Sequence, residues 1–422
     1  MDNKLRRTIK AFKSTNVGSF ILNIYVLLRQ KPFYPTHFRI LISDLLRLPF
    51  LRFKDSHKFS GTEFSNICTL EHLQAAMDWL CYAQDIKKDG GVSASYNFRK
   101  GWEASYPEVT GYIIPTFLNY YQFSNQEVYR KRAIKMADWL LSIQLPNGAF
   151  QGLTVEHSHE PRVFNTGQIL LGIIRVYKET SEERYINSAK RSANWLVSVQ
   201  DQDGAWRKFS YNSIPHTYYT RVAWPLLELY LLTGEQSYKQ GAIKNLQWAI
   251  NNQKENGWFH HNSFSNKLNP YTHNIIYAAR GMLESGVLLN EFIYIQSAER
   301  VAQTLFKKFE IKKFLPGDFS EVWGSRSGYS CLTGDAQLSI LLMRLYEMKK
   351  DERYLNAALK INQYLKSTQI LNSRNLGIRG GIKGSDPIWG SYSPYGYPSW
   401  AAKFFVDSLL LEEIIFKNFS KE

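Results

Sequence analysis

The chain has 422 residues, 44% hydrophobic and 15% aromatic, enough to bury a large core, and no Pro- or Gly-rich linker divides it. Its formal charge is +15, from 52 Lys and Arg against 37 Asp and Glu, but no recognised nucleic-acid motif accompanies that charge, so nucleic acid is excluded as the expected partner. Cys68, Cys81 and Cys331 stand in no metal spacing; they suit a reducing, cytoplasmic setting, and neither metal nor cofactor is expected.

Residues 1–62 read as a basic helical arm. Within them, residues 1–58 hold 12 Lys or Arg against 3 Asp or Glu, a net of +9 out of the total. The apolar stretch 17–28 is too short to span a bilayer, and no small-residue cleavage site follows it. Two readings remain open for this arm: it lies on an anionic membrane surface, at the inner face, or it packs against the rest of the chain.

From residue 63 to 418 a repeat takes over. Tyr129, Tyr185, Tyr238, Tyr294 and Tyr354 recur at intervals of 53 to 60 residues, each followed four residues later by alanine. Ten residues beyond the tyrosine stand Trp139, Trp195, Trp248 and Tyr364; fifteen beyond stand Gln144, Gln200, Gln253 and Gln369. Each copy is an amphipathic helix, and with an unmatched first helix the spacing predicts outer helices near 70–84, 126–144, 182–200, 235–253, 291–309 and 352–369. Between them lie segments apolar nearly all round, at 109–121, 166–177, 216–232, 273–289, 333–346 and 400–411, which must be buried on every side. Six outer and six inner helices in alternation predict an all-α (α/α)6 toroid of six hairpins.

Links from inner to outer helices are short, whereas outer-to-inner links are long. The long loops therefore share one rim, and all inner helices begin there, turning their unpaired N–H groups toward one hole. Such a mouth favours an anion. The inner-helix starts read Tyr106-Pro-Glu108-Val-Thr110, Asn165-Thr-Gly-Gln168, His216-Thr-Tyr218-Tyr219-Thr-Arg221, Tyr271-Thr-His273 followed by Arg280, Thr333-Gly-Asp335, and Tyr397-Pro-Ser-Trp400 followed by Lys403. Thr110, Asn165, Thr272, Thr333 and Asp335 also read as N-caps. For His216, Tyr218, Arg221 and His273 capping explains less, and their convergence is a candidate constellation. Loop tryptophans, Trp206 and Trp323 among them, suit either sugar stacking or repeat packing.

The turns Gln144-Leu-Pro-Asn147-Gly148-Ala-Phe150, Gln200-Asp-Gln-Asp203-Gly204-Ala-Trp206 and Gln253-Lys-Glu-Asn256-Gly257-Trp258 resemble the glutamine-tryptophan repeats of the terpene cyclase and protein prenyltransferase superfamily. The resemblance implies a structural repeat: Gln at a helix end, Gly at positive φ, the aromatic packed back. No D-x-D-D protonation motif and no matching Asp, Cys and His zinc set accompany it, so an isoprenoid cyclase is the weakest functional reading. The same scaffold serves polysaccharide lyases, uronyl 5-epimerases and unsaturated-uronyl hydrolases. Over most of 69–414 the chain also looks like bacterial toroid proteins associated with surface-polysaccharide synthesis, through Gly101-Trp-Glu-Ala-Ser-Tyr-Pro-Glu108, His216-Thr-Tyr-Tyr-Thr-Arg221 and Gly380-Gly-Ile-Lys383, which implies a carbohydrate context.

The expected activity is thus that of a lyase or epimerase on an acidic, uronate-containing glycan. Catalytic candidates are His216, Tyr218, Arg221, His273 and Glu108; binding candidates are Tyr106, Asn165, Gln168, Trp206, Tyr271, Arg280, Trp323, Asp335, Trp400 and Lys403. Abstracting the proton alpha to a carboxylate needs a neutralising group, for which Arg221, Asn165 or Gln168 would serve, and a base such as Tyr218 or His216. The alternatives are a glycoside hydrolase with Glu108, Glu103 or Asp335 as its carboxylates, and a non-catalytic glycan-binding or scaffold subunit.

Overall fold

The computed structural model describes residues 35–53 and 68–419 apart from 158, 267 and 313; the apolar stretch 17–28 and most of the basic segment 1–58 lie outside the described residues. An arm helix α1 (Pro35–Phe53) precedes the repeat. Outer helices α2 (Thr69–Asp85), α4 (Glu127–Ile143), α6 (Glu183–Ser198), α8 (Gln236–Asn251), α10 (Phe292–Lys312) and α12 (Glu352–Thr368) alternate with inner helices. The inner set is α3 (Pro107–Ser124), α5 (Val163–Thr180), α7 (Thr220–Thr233), α9 (Thr272–Leu289), α11 (Leu332–Lys349) and α13 (Ser399–Phe419). The third inner helix opens later than its sequence suggests, because Thr217–Tyr219 form a 3-10 turn ahead of α7.

Each of the first five inner helices passes to its outer partner through two residues, the first left-handed: Asn125, Ser181, Gly234, Asn290 and Lys350. The inner helices contact in the order α3, α5, α7, α9, α11, α13 and back to α3, which closes the ring. Close approach is secured by glycine: a Cβ on Gly172 of α5 would stand 2.1 Å from the Gly111 carbonyl oxygen of α3. At the seam, Glu412 of α13 accepts from Thr69 at 2.9 Å and from Asn362 at 2.7 Å, joining the last inner helix to the first and last outer ones.

The repeated glutamine has one job in four copies. Its amide donates to the carbonyl of a positive-φ glycine in its own turn and to the next outer helix: Gln144 to Gly148 and Ser188, Gln200 to Gly204 and Gly241, Gln253 to Gly257 and Ser297. Gln369 donates to Gly380 and to the His72 carbonyl, so the same device that staples neighbours also closes the circle onto α2.

Short strands order the long rim loops. β1 (Ser95–Asn97) is the centre of an antiparallel sheet between β2 (Gly101–Trp102) and β5 (Gly396–Pro398), with Tyr96 opposite both Trp102 and Tyr397. β3 (Ser330–Cys331) pairs with β4 (Ser385–Asp386). The arm lies on the first and last of these loops: His37 stacks on Phe98 with ring centroids 3.9 Å apart, and Asp44 binds Lys383 at 2.7 Å and the Ile388 N–H at 2.8 Å.

Candidate active site

At the long-loop end the hole is a cavity of about 540 Å³. Its walls carry Tyr106, Glu108, Asn165, Tyr218, Tyr271, His273 and Trp400 from the sequence-derived set. Below, Tyr112 of α3 and Tyr277 of α9 line the hole and both pack against the Phe404 ring of α13, the first tilted and the second edge-on, so that these rings floor the cavity.

Glu108 stands in the first turn of α3 and His273 in the first turn of α9. Those helices are first and fourth in a ring of six, so the two groups come from opposite walls. Tyr106 donates to the Glu108 carboxylate at 3.0 Å, and Asn165 reaches the Tyr106 hydroxyl at 3.5 Å. Burial pushes the Glu108 carboxyl up to about 7, against weaker lowering by the Tyr106 bond and the Arg221 charge. His273 is pushed the other way, down to about 3, by burial and then by Arg221. The Gln337 amide nitrogen meets both the Thr333 carbonyl and His273 Nδ1 (2.7 Å), so Nδ1 accepts and the neutral ring carries its proton on Nε2. Near neutral pH the cavity thus has one carboxyl that titrates and one imidazole fixed as a neutral donor. Asn274 Oδ1, buried in the same wall, has no hydrogen-bond partner among the described residues.

Other sequence candidates fall behind the walls. His216 is buried, its Nε2 on the Tyr211 carbonyl and its ring stacked on Tyr218; burial lowers its pKa to about 4. Arg221 lies beneath Tyr277, bonded twice to the Gln168 side chain at 2.9 and 3.1 Å, with Trp224 on another side. Asp335 is buried against Ser330, and its carboxyl is raised to about 8 by desolvation. Arg280 pairs with Glu284, and Lys403 with Asp407. Trp206 and Trp323 are repeat packing: their indole N–H groups go to the Leu196 and Asn256 carbonyls, and neither ring lines the cavity. Two threonines read as N-caps do other work, since Thr110 accepts from Val92 N–H and Thr272 donates to the Pro316 carbonyl; Thr166, next to Asn165, likewise accepts from Phe150 N–H. Five inner helices accordingly begin without a side-chain cap, leaving their dipole ends at the rim.

Sequence reasoning passed over several wall residues. Tyr112 and Tyr277 follow Glu108 and His273 by four residues, one helical turn, and that spacing signals them. Arg162, half-buried at the residue before α5, lines the cavity and pairs with no carboxylate among the described residues. Gly152 makes room for it: a Cβ there would stand 2.5 Å from Arg162 Cγ. Tyr392 and its serine neighbours come from the last rim loop, where no periodicity marks them.

Residues 103–282 match the sequence pattern of the squalene-hopene cyclase C-terminal domain, the stretch that contains three of the glutamine turns. No curated protein sequence matches the chain significantly. Among solved structures, a heparin-specific unsaturated glucuronyl hydrolase superposes with a TM-score of 0.67 at 15% identity, over 83% of this chain and 98% of that one. Cellobiose 2-epimerase from Bacillus thermoamylovorans gives 0.65 at 16%, over 82% and 98%. The unsaturated glucuronyl hydrolase of a Bacillus species, responsible for degrading glycosaminoglycan, gives 0.65 at 16%, over 82% and 97%. At these identities the likeness is one of fold: the chain is an (α/α)6 toroid, similar both to terpene cyclase repeats and to uronyl hydrolase and epimerase barrels.

Proposed function

We propose that the protein is a carbohydrate-active enzyme that moves a proton next to the carboxylate of a uronate-containing glycan, as an epimerase or lyase. The observation that carries this reading is Glu108, a carboxyl poised near neutrality in an aromatic cavity, facing a neutral histidine. Arg162 binds the substrate carboxylate, and the buried Arg221 charge adds attraction from below. Glu108 in its ionised form takes the proton from the carbon alpha to that carboxylate. The electron pair moves onto the carboxylate, where Arg162 and the His273 Nε2–H stabilise it. Return of a proton to the other face, from a phenol of the opposite wall, completes epimerisation, and the proton held by Glu108 then restores that phenol through solvent; in elimination the C4–O bond breaks instead and the leaving oxygen takes up the proton held by Glu108. Facing proton-carrying walls favour epimerisation.

This moves the base from Tyr218 or His216 to Glu108. Burial holds the Tyr218 phenol protonated, its pKa well above the ordinary value, and His216 does not reach the cavity. Tyr218→Phe is therefore expected to lower turnover by less than tenfold; a loss as deep as that of Glu108→Gln would return the base role to Tyr218. A two-carboxylate glycosidase finds no second carboxyl in these walls among the described residues, because Asp335 lies behind them and Glu103 faces a neighbouring cleft. Incubation with acidic oligosaccharides in deuterated water tests the assignment: label without cleavage marks an epimerase, absorbance of unsaturated uronate a lyase. Clean hydrolysis overturns both, and neither binding nor reaction leaves a scaffold.

A setting in surface-polysaccharide metabolism, peripheral on the inner membrane face, belongs to the same proposal. No described helix is long and apolar enough to cross a membrane. Reversing the charge of Lys4, Arg6, Arg7, Lys10 and Lys13 to Glu is expected to release the protein from anionic vesicles, at about 1 kcal/mol per basic residue. Unchanged, salt-insensitive binding would make the segment a packing arm.

A further inference from the structure

The cavity is not the only hollow on this rim. A second cleft of about 380 Å³ adjoins it, and Tyr106, Leu153 and Trp400 line both. These three side chains form a neck between an inner chamber and an outer one. Leu153 is 51% exposed and holds a left-handed backbone, φ 59°, a conformation that costs a leucine energy and places an apolar side chain at the neck instead of in the core. In the outer chamber Trp102 lies half-buried, packed on Trp79, Tyr82 and Tyr96 with ring centroids 5.1 to 5.6 Å away. That packing fixes the indole as a rigid platform.

The charge of the outer chamber differs from that of the inner one. Lys87 and Lys100 are balanced by Glu103 and Glu156, and Glu103 is held by Ser95 at 2.7 Å and by Lys100 at 3.7 Å. The inner chamber has Arg162 as an unbalanced cation whenever Glu108 holds its proton. A ring entering the inner chamber is therefore selected for an anionic group. One lying on Trp102 meets donors and acceptors without net charge, which suits hydroxyl and amide groups.

Resting on the uronate reading above, we infer that the outer cleft is a second sugar subsite and that the substrate is a chain in which an acidic residue adjoins an uncharged one. The acidic ring occupies the inner chamber, its neutral neighbour stacks on Trp102, and the Tyr106, Leu153 and Trp400 neck grips the linkage between them.

Calorimetric titration of the wild-type protein with methyl glucuronoside, a glucuronate–N-acetylglucosamine disaccharide and a diuronate tests this. The mixed disaccharide should bind about tenfold tighter than the monosaccharide, and the diuronate should gain little. Trp102→Ala should erase the disaccharide gain and leave the monosaccharide affinity unchanged. Because Trp102 also packs on the core, the wild-type series carries the test even if that variant unfolds. Equal affinity for one ring and two, or equal gain with the diuronate, overturns this inference and leaves the inner site standing. Binding of none of the three overturns the uronate reading itself.

Discussion

Glu108→Gln is expected to lower turnover of an acidic glycan by a factor of about 10² to 10⁴, the range for loss of an oriented base, while the protein stays folded. Gln keeps the volume and the acceptor for the Tyr106 hydroxyl and removes only the titration. The stability of the variant carries a second signature. Burial raises the folded pKa of Glu108 from 4.5 to about 7, so the folded state holds the proton more tightly than the unfolded one. The stability this contributes is fully present below the unfolded value and is lost as pH rises through about 7, a change on the order of 3 kcal/mol for a fully buried group. Relative to Glu108→Gln, the wild type should therefore melt progressively lower between pH 5 and pH 8. Its kcat/KM should climb over the same window, as the base form appears. A variant with wild-type activity, or two melting temperatures that track each other across that window, would remove Glu108 from the mechanism.

The toroid is legible because each of its parts is written locally and then copied. Helical spacing separates one-faced from all-round apolar segments, and the glutamine turn repeats with one set of hydrogen bonds in four places. The rim is legible for a related reason, since long loops on one side force the inner N-termini together. Side-chain direction is not written that way. His216 precedes, and Arg221 follows, the 3-10 turn Thr217–Tyr219 ahead of α7, a turn that sends His216 behind Tyr218. Arg221, a turn further down, lies beneath Tyr277, which lines the floor of the cavity and separates Arg221 from it. Trp206 and Trp323 carry the same aromatic as a sugar platform, yet each is held by a backbone carbonyl within the repeat. Tyr392 joins the site through a loop whose path depends on contacts far away in sequence, and no spacing announces it.

One of those contacts decides how firmly the site is held. Lys383 is buried in the last rim loop between Asp44 of α1, at 2.7 Å, and Asp386, at 2.5 Å. Asp44 also receives the Ile388 N–H, and Asp386 receives the Tyr364 hydroxyl. The same loop continues into Ser391, Tyr392 and Ser393 on the cavity wall. Lys383→Met fills the space but leaves two carboxyls buried without their cation, and removing one partner from such a cluster typically costs about 3 to 5 kcal/mol. The urea midpoint should fall accordingly, and affinity for the acidic ligand should fall even where the variant is still folded, because the wall loop loses its anchor. Adding Asp44→Asn to Lys383→Met should recover part of the stability, since it removes one of the stranded charges. That recovery separates an electrostatic latch from mere loss of packing. An unchanged midpoint in Lys383→Met would mean that α1 is not docked through Asp44 in solution, and the arm would then be free to serve the membrane surface alone.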